Sequence, residues 1–164
     1  MREGDGALPP LVRRGAIIGL LLSGASTLVI VLVPRGDIVS GTALWLWHRL
    51  SAGMPGGRAV SFPEFAVLAN VGLFVPFFAL VSALRPRWWW IAVGVGTSLG
   101  IELAQAFIPS RRPDVADVLS NSLGAVGGVL LGLLVRRWWE HIAARGEVLG
   151  AGIGSGAGRD GPGP

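Results

Sequence analysis

Residues 98–132 read SLGIELAQAFIPSRRPDVADVLSNSLGAVGGVLLG, and the reading of this stretch decides the fold. Two apolar segments flank a short polar turn at 109–114, and the segments themselves carry Glu102, Gln105, Asp117 and Asn121. Ionisable groups inside membrane-length segments are costly, so they face a protein interior and tend to mark function. At ~100° per residue, Asp117, Asn121, Gly124, Gly128 and Gly132 fall in one narrow stripe of a helix, which Asp114 continues into the turn. The glycines let a neighbouring helix pack closely on the face that carries the polar groups. On the preceding segment, Glu102 and Gln105 share a face with Ser98.

The rest of the chain fits a membrane setting. Of its 164 residues 51% are apolar, and the mean hydropathy is +0.60, which points to an integral membrane protein rather than a soluble domain. The absence of cysteine excludes disulfides and thiolate metal sites. The net charge of +4 rests on arginine alone, because the chain has no lysine. Those arginines sit beside hydrophobic runs, so they read as membrane-flanking charge and no nucleic-acid partner is expected.

Working outward, the sequence predicts an all-α fold of four transmembrane helices in an antiparallel bundle. Residues 1–14 read as a flexible leader, and the spans fall at about 15–33, 62–84, 88–108 and 115–135. In the first span Gly15, Gly19 and Ser23 recur every four residues and offer a smooth packing face. The connection 34–61 contains a candidate interfacial helix at 38–50, with Trp45, Trp47 and His48 at headgroup level. Ser61, Pro63 and Glu64 form a capping-box start for the second span, so Glu64 reads as a cap. Pro76 predicts a kink there. Trp88, Trp89 and Trp90 form an aromatic belt, and Gly94, Gly96, Ser98 and Gly100 keep the third span slim. Residues 136–164 read as a cytoplasmic, Gly-rich tail. Arg13, Arg14, Arg85, Arg87, Arg136 and Arg137 bias both termini towards the cytoplasm.

Counting residues from the turn places Glu102 and Asn121 each roughly 9 Å below it, with Asn70 at a similar depth on the second span. Glu64, Arg111, Arg112, Asp114 and Asp117 lie nearer the surface. The expectation is a polar pocket in one leaflet, facing outward, built from Asn70, Glu102, Gln105, Arg111, Asp114, Asp117 and Asn121, with Gly124, Gly128 and Gly132 as its packing face. A carboxyl at that depth suits a proton-coupled step or general acid/base work. The planar fork of Arg111 suits a phosphate or carboxylate. An anionic, lipid-linked or peptidoglycan-related ligand fits that combination. The same residues also fit a plainer role. Asp114 and Asp117 suit a helix start, and Glu102, Gln105 and Asn121 suit interhelical hydrogen bonding. No phosphate loop, nucleophile elbow or triad order is present, so no reaction is assigned. Oxygen ligands without metal-site spacing imply neither metal nor cofactor. A small proton-coupled transporter that dimerises through its glycine faces, and a structural scaffold, are the competing readings.

Glu102, Gln105, Arg111, Asp114, Asp117, Asn121, Gly124 and Gly128 together resemble the signature of VanZ-like membrane proteins. The upstream NVGLFVP at 70–76 is similar to that family's second-helix motif, at Asn70, Phe74 and Pro76. The resemblance covers about residues 62–135. The chain lacks the Asp-Lys-x-x-His element that many members carry near the second span. The resemblance implies a bacterial inner-membrane protein of the cell envelope, with a family label tied to glycopeptide (teicoplanin-type) resistance.

Overall fold

In the computed structural model, which describes residues 8–32, 36–52, 60–108 and 114–156, the protein is all-helical among the described residues. The helices are α1 (Pro10–Leu32), α2 (Gly36–Ala52), α3 (Phe62–Leu84), α4 (Trp90–Gln105) and α5 (Val115–Gly156). Three stretches are long and apolar enough to cross a membrane, namely Pro10–Ile30, Phe62–Leu84 and Val115–Arg145. The fourth expected span, 88–108, is shorter than anticipated. Trp88 and Trp89 form a turn, and after Gln105 the chain tightens into i→i−3 bonds from Phe107 to Ala104 and from Ile108 to Gln105. The 16 residues of α4 cover only about 24 Å, against the ~30 Å of a hydrocarbon core.

Helix also extends beyond both expected ends. α1 begins at Pro10, where the missing N–H costs nothing in a first turn. α5 continues to Gly156, assisted by an Arg136–Glu140 ion pair of 2.6 Å one turn apart.

The fold is organised by α3 against α5. A Cβ added at Gly124 would stand 2.5 Å from the Val71 carbonyl oxygen, and one at Gly128 would stand 2.6 Å from that of Val75. One at Gly132 would overlap the Ala79 carbonyl. Each step is four residues on both helices and runs in the same direction, so α3 and α5 are parallel and nearly in backbone contact. The α-hydrogens in those positions point at the carbonyls, a weak but recurrent interhelical contact. The sequence leaves the glycine stripe's partner open, and the structure identifies it as α3.

α4 runs back between the ends of these two helices. Its contacts with α5 descend as α4 ascends: Gly94 meets Ala125, Ser98 meets Val118 and Glu102 meets Asp114. α1 packs antiparallel on α3, with Gly19 against Leu80 and Gly24 against Phe77. The close face is thus Gly19 and Gly24, while Gly15 has open space beside it. Of the predicted face, Gly19 does make the close approach and Gly15 does not. α2 is a helix, and its Trp47 indole N–H donates to the Val60 carbonyl at 2.9 Å, tying it to the start of α3. There Glu64 accepts from the Ser61 backbone N–H at 2.7 Å and from its hydroxyl at 2.8 Å, so Glu64 does serve as a cap. α3 continues through Pro76 as one helix. Trp90 donates to the Arg85 carbonyl at 3.0 Å, closing the tight turn between α3 and α4.

Polarity is inverted relative to a water-soluble bundle. The buried face of α4 consists of Gly94, Ser98, Glu102 and Gln105. Glu102 is 7% exposed, whereas its neighbour Leu103 is 67% exposed. On α5, Asn121 is 6% exposed and Leu123 is 62% exposed. Leucines outside, with small and polar residues inside beside a phenylalanine and valine core, suit a hydrocarbon solvent, and three helices long and apolar enough to span it make the molecule a membrane protein.

The glycine stripe generates a test. Gly128→Ala should destabilise the protein by about 1–3 kcal/mol, because a methyl there overpacks against the α3 backbone. The adjacent Gly127→Ala, with nothing within 4 Å of its added Cβ, should be neutral or slightly stabilising through better helix propensity. Unfolding in mixed micelles, followed by circular dichroism, reads the difference.

Candidate functional site

The parallel alignment of α3 with α5 brings Asn70 to Asp117. The Asn70 amide donates to Asp117 Oδ1 at 2.7 Å, a bond between residues 47 positions apart and partly buried. Asp117 lies in the first turn of α5, where a carboxylate suits the helix dipole. Its partner comes from another helix, so it does more than stabilise its own. Asp114 caps α5 through its Oδ1, which accepts from the Ala116 N–H at 2.8 Å.

Glu102 reaches the same helix start from α4. Its Oε2 accepts from the Asp114 backbone N–H at 2.9 Å, so a buried carboxylate on one helix holds the N-terminus of the next. This corrects the depth reading. Glu102 is level with Asp114 at the rim, while Asn121 lies about 10 Å further along α5. The miscount arises because α4 stops at Gln105 and the carboxylate meets the start of α5, so residues from the turn are not a common ruler for both helices.

Deeper in, the Ser98 hydroxyl donates to the Val118 carbonyl at 3.1 Å, and that of Ser120 to the Asp117 carbonyl at 3.2 Å. Asn121 is buried, and its Oδ1 has no hydrogen-bond partner among the described residues. A buried acceptor left unmade costs about 1–3 kcal/mol. Gln105 is buried on the same α4 face as Glu102. Arg111, which sequence reasoning included, lies outside the described residues, as do Arg112 and Pro113.

The site is therefore a graded column. Glu102 and Asp114 form the rim, Asn70 and Asp117 the middle, and Ser98 and Asn121 the floor, all above the glycine seam. Among the described residues no group of three or more His, Asp or Glu is gathered as a metal site. The contribution of Phe74 came through the family motif alone. It lies one turn beyond Asn70, is 3% exposed and stacks on Phe78 with centroids 6.0 Å apart, closing the apolar end of the column.

The Asn70–Asp117 bond can be measured directly. A double-mutant cycle with Asn70→Ala and Asp117→Ala, read by unfolding in micelles, should give a coupling of roughly 0.6–1.7 kcal/mol, the range of intramembrane side-chain hydrogen bonds. A coupling near zero would mean that the two side chains do not meet in the folded protein.

The family model described as VanZ/LLP1 matches residues 15–136, which takes in α1 and α2 as well as the polar column. No curated protein and no solved structure matches the chain.

Proposed function

The chain belongs to the VanZ/LLP1 family, and from that premise we propose that it is a cell-envelope protein of the bacterial inner membrane that binds or modifies a membrane-embedded ligand with an anionic head. The observation that carries this reading is the polar column itself. Two carboxylates and two amides from three helices converge at one end of a membrane bundle, and the buried Asn121 Oδ1 is left with an unspent acceptor. An unmade bond is costly in hydrocarbon, and at Asn121 it coincides with the carboxylates and amides of the column.

In this reading α1, α3, α4 and α5 all cross the bilayer. α3 and α5 run parallel, so the chain must return through the full thickness between them, and α4 is that return. Both termini then lie on the cytoplasmic side and the column opens outward. The described groups are mostly acceptors, so the cation for an anionic head comes from the connection between α4 and α5, which carries Arg111. A guanidinium at that position would bind phosphate or carboxylate in bidentate fashion, while Asn121 accepts from a hydroxyl or amide of the same head. Glycopeptide (teicoplanin-type) resistance is the cellular role this chemistry would serve, by altering an envelope ligand that such drugs recognise or displace.

Complementation of a deletion strain tests the reading. Glu102→Gln keeps an acceptor for the Asp114 N–H and so should preserve membrane abundance, yet it and Arg111→Ala should abolish the glycopeptide-sensitivity and lipid-precursor phenotype. Full complementation by a chain neutralised at Glu102, Arg111 and Asp117 together would leave only a structural role for the column.

A further inference from the structure

A cleft of about 190 Å³ opens between α1, α3 and α4, lined by residues that include Gly24 and Thr27 of α1, Phe74 and Phe77 of α3, and Thr97 and Ile101 of α4. We propose that this cleft is a binding site for the hydrocarbon chain of a membrane lipid whose polar head occupies the Asn70–Asp117 column. The second half of that statement rests on the function proposed above, whereas the first half stands on the cleft alone.

The chemistry of the lining favours an apolar occupant. No charged side chain borders the cleft. The Thr27 hydroxyl is engaged by the Ser23 carbonyl at 2.9 Å, which leaves it no free donor. Phe74, Phe77 and Phe78 make a continuous aromatic wall, with Phe77 edge-on to Phe78 at 5.2 Å and Phe78 stacked on Phe74 at 6.0 Å. A dry apolar cavity of roughly 150 Å³ accepts benzene, so this volume suits a run of methylenes or a branched isoprenoid unit rather than a headgroup.

Position supplies the occupant. α1 and α3, which form two of the walls, are membrane-length apolar helices, so the surrounding solvent is hydrocarbon. Glycine makes the space: a Cβ at Gly24 would stand 3.1 Å from the Phe77 ring and narrow the entrance. None of the residues in the α1 span is buried, so α1 can move aside without dismantling the core, and a chain can enter laterally. The cleft runs beside the column, with Thr97 and Ile101 next in the chain to Ser98 and Glu102. Phe74 follows Asn70 by one turn on α3. A lipid with its head at the rim would direct its chain along this wall towards the bilayer centre.

The full chain is reconstituted in vesicles of phosphatidylethanolamine and phosphatidylglycerol, with a phosphatidylglycerol that carries a diazirine at mid-chain. Irradiation and peptide mass spectrometry then report labelling at Phe74, Phe77 and Ile101 relative to the outward leucines Leu123 and Leu131. The expected result is labelling of the cleft in clear excess of those leucines. Thr97→Trp and Thr27→Phe, which fill the cleft from opposite sides, should bring labelling down to the leucine level with the melting temperature unchanged. Cleft labelling no higher than at the leucines in the unmodified chain overturns the proposal without reference to any variant. A diazirine diacylglycerol, which lacks the anionic head, separates the two halves. If it labels the cleft as well as the phosphatidylglycerol does, the chain site stands and the head does not sit in the column. If its labelling is weaker and matches that of phosphatidylglycerol on Asn121→Leu, both halves stand.

Discussion

The near-contact of the α3 and α5 backbones is the constraint on which the other features depend. Gly124, Gly128 and Gly132 set the register by admitting the carbonyls of Val71, Val75 and Ala79. Lipid chains are as apolar as leucine, so burial of leucine does not drive helices together in a bilayer. Close van der Waals contact, weak Cα–H···O bonds and a few strong polar bonds must do so instead. Once the seam is closed in parallel, Asn70 and Asp117 are brought within 2.7 Å. The return helix α4 must then pass beside both, and Glu102 arrives at the start of α5. The packing face and the polar column are therefore one device read at two depths.

Much of this was legible in the sequence because helical periodicity is a strong signal. The stripe from Asp117 through Asn121 to Gly132 follows from residue spacing, and so does the Glu64 cap. A glycine stripe carries no information about its partner, however, which is why α3 emerges only in three dimensions. The level of Glu102 was misjudged for a related reason. Distance counted from a turn assumes that both helices run up to it at full rise, and α4 ends at Gln105 instead. Of the expected α1 face of Gly15, Gly19 and Ser23, Gly19 does pack on α3, whereas Gly15 has open space beside it. Gly24, which the four-residue spacing did not single out, also meets α3. Hydropathy marks where a span can exist and not where its helix stops, so the ends of α1, α4 and α5 were the least legible features.

The polar groups fall into two energetic kinds. Asp114 on Ala116, Glu102 on Asp114 and Ser98 on Val118 satisfy backbone atoms that hydrocarbon would otherwise leave unpaired. These bonds explain how a helix can begin within the bundle near a chain reversal. Asn70 and Asn121 are of a different kind, since the Asn70 amide bonds the Asp117 side chain and the Asn121 Oδ1 bonds no described group. Asn70–Asp117 is worth at most about 2 kcal/mol as glue, and Asn121 Oδ1 contributes no hydrogen bond as it stands. The case for a ligand is strongest at these residues and weakest at the cap residues.

The shortness of α4 connects the column to the bilayer surface. Trp88 is 75% exposed at the start of this helix, where aromatic side chains hold a helix end at the interface. In the proposed four-span reading, α4 would rise about 24 Å from that anchor and stop roughly 6 Å short of the opposite edge of a ~30 Å hydrocarbon core. Glu102, Gln105 and the start of α5 lie at this recessed end. Locally thinned hydrocarbon lowers the cost of polar groups at that depth, because headgroups and water can reach down to them. The short helix, the inward-facing Glu102 and the helix start it holds therefore describe one opening, and a lipid reaching it from the side needs to lift its head only a few ångströms out of plane.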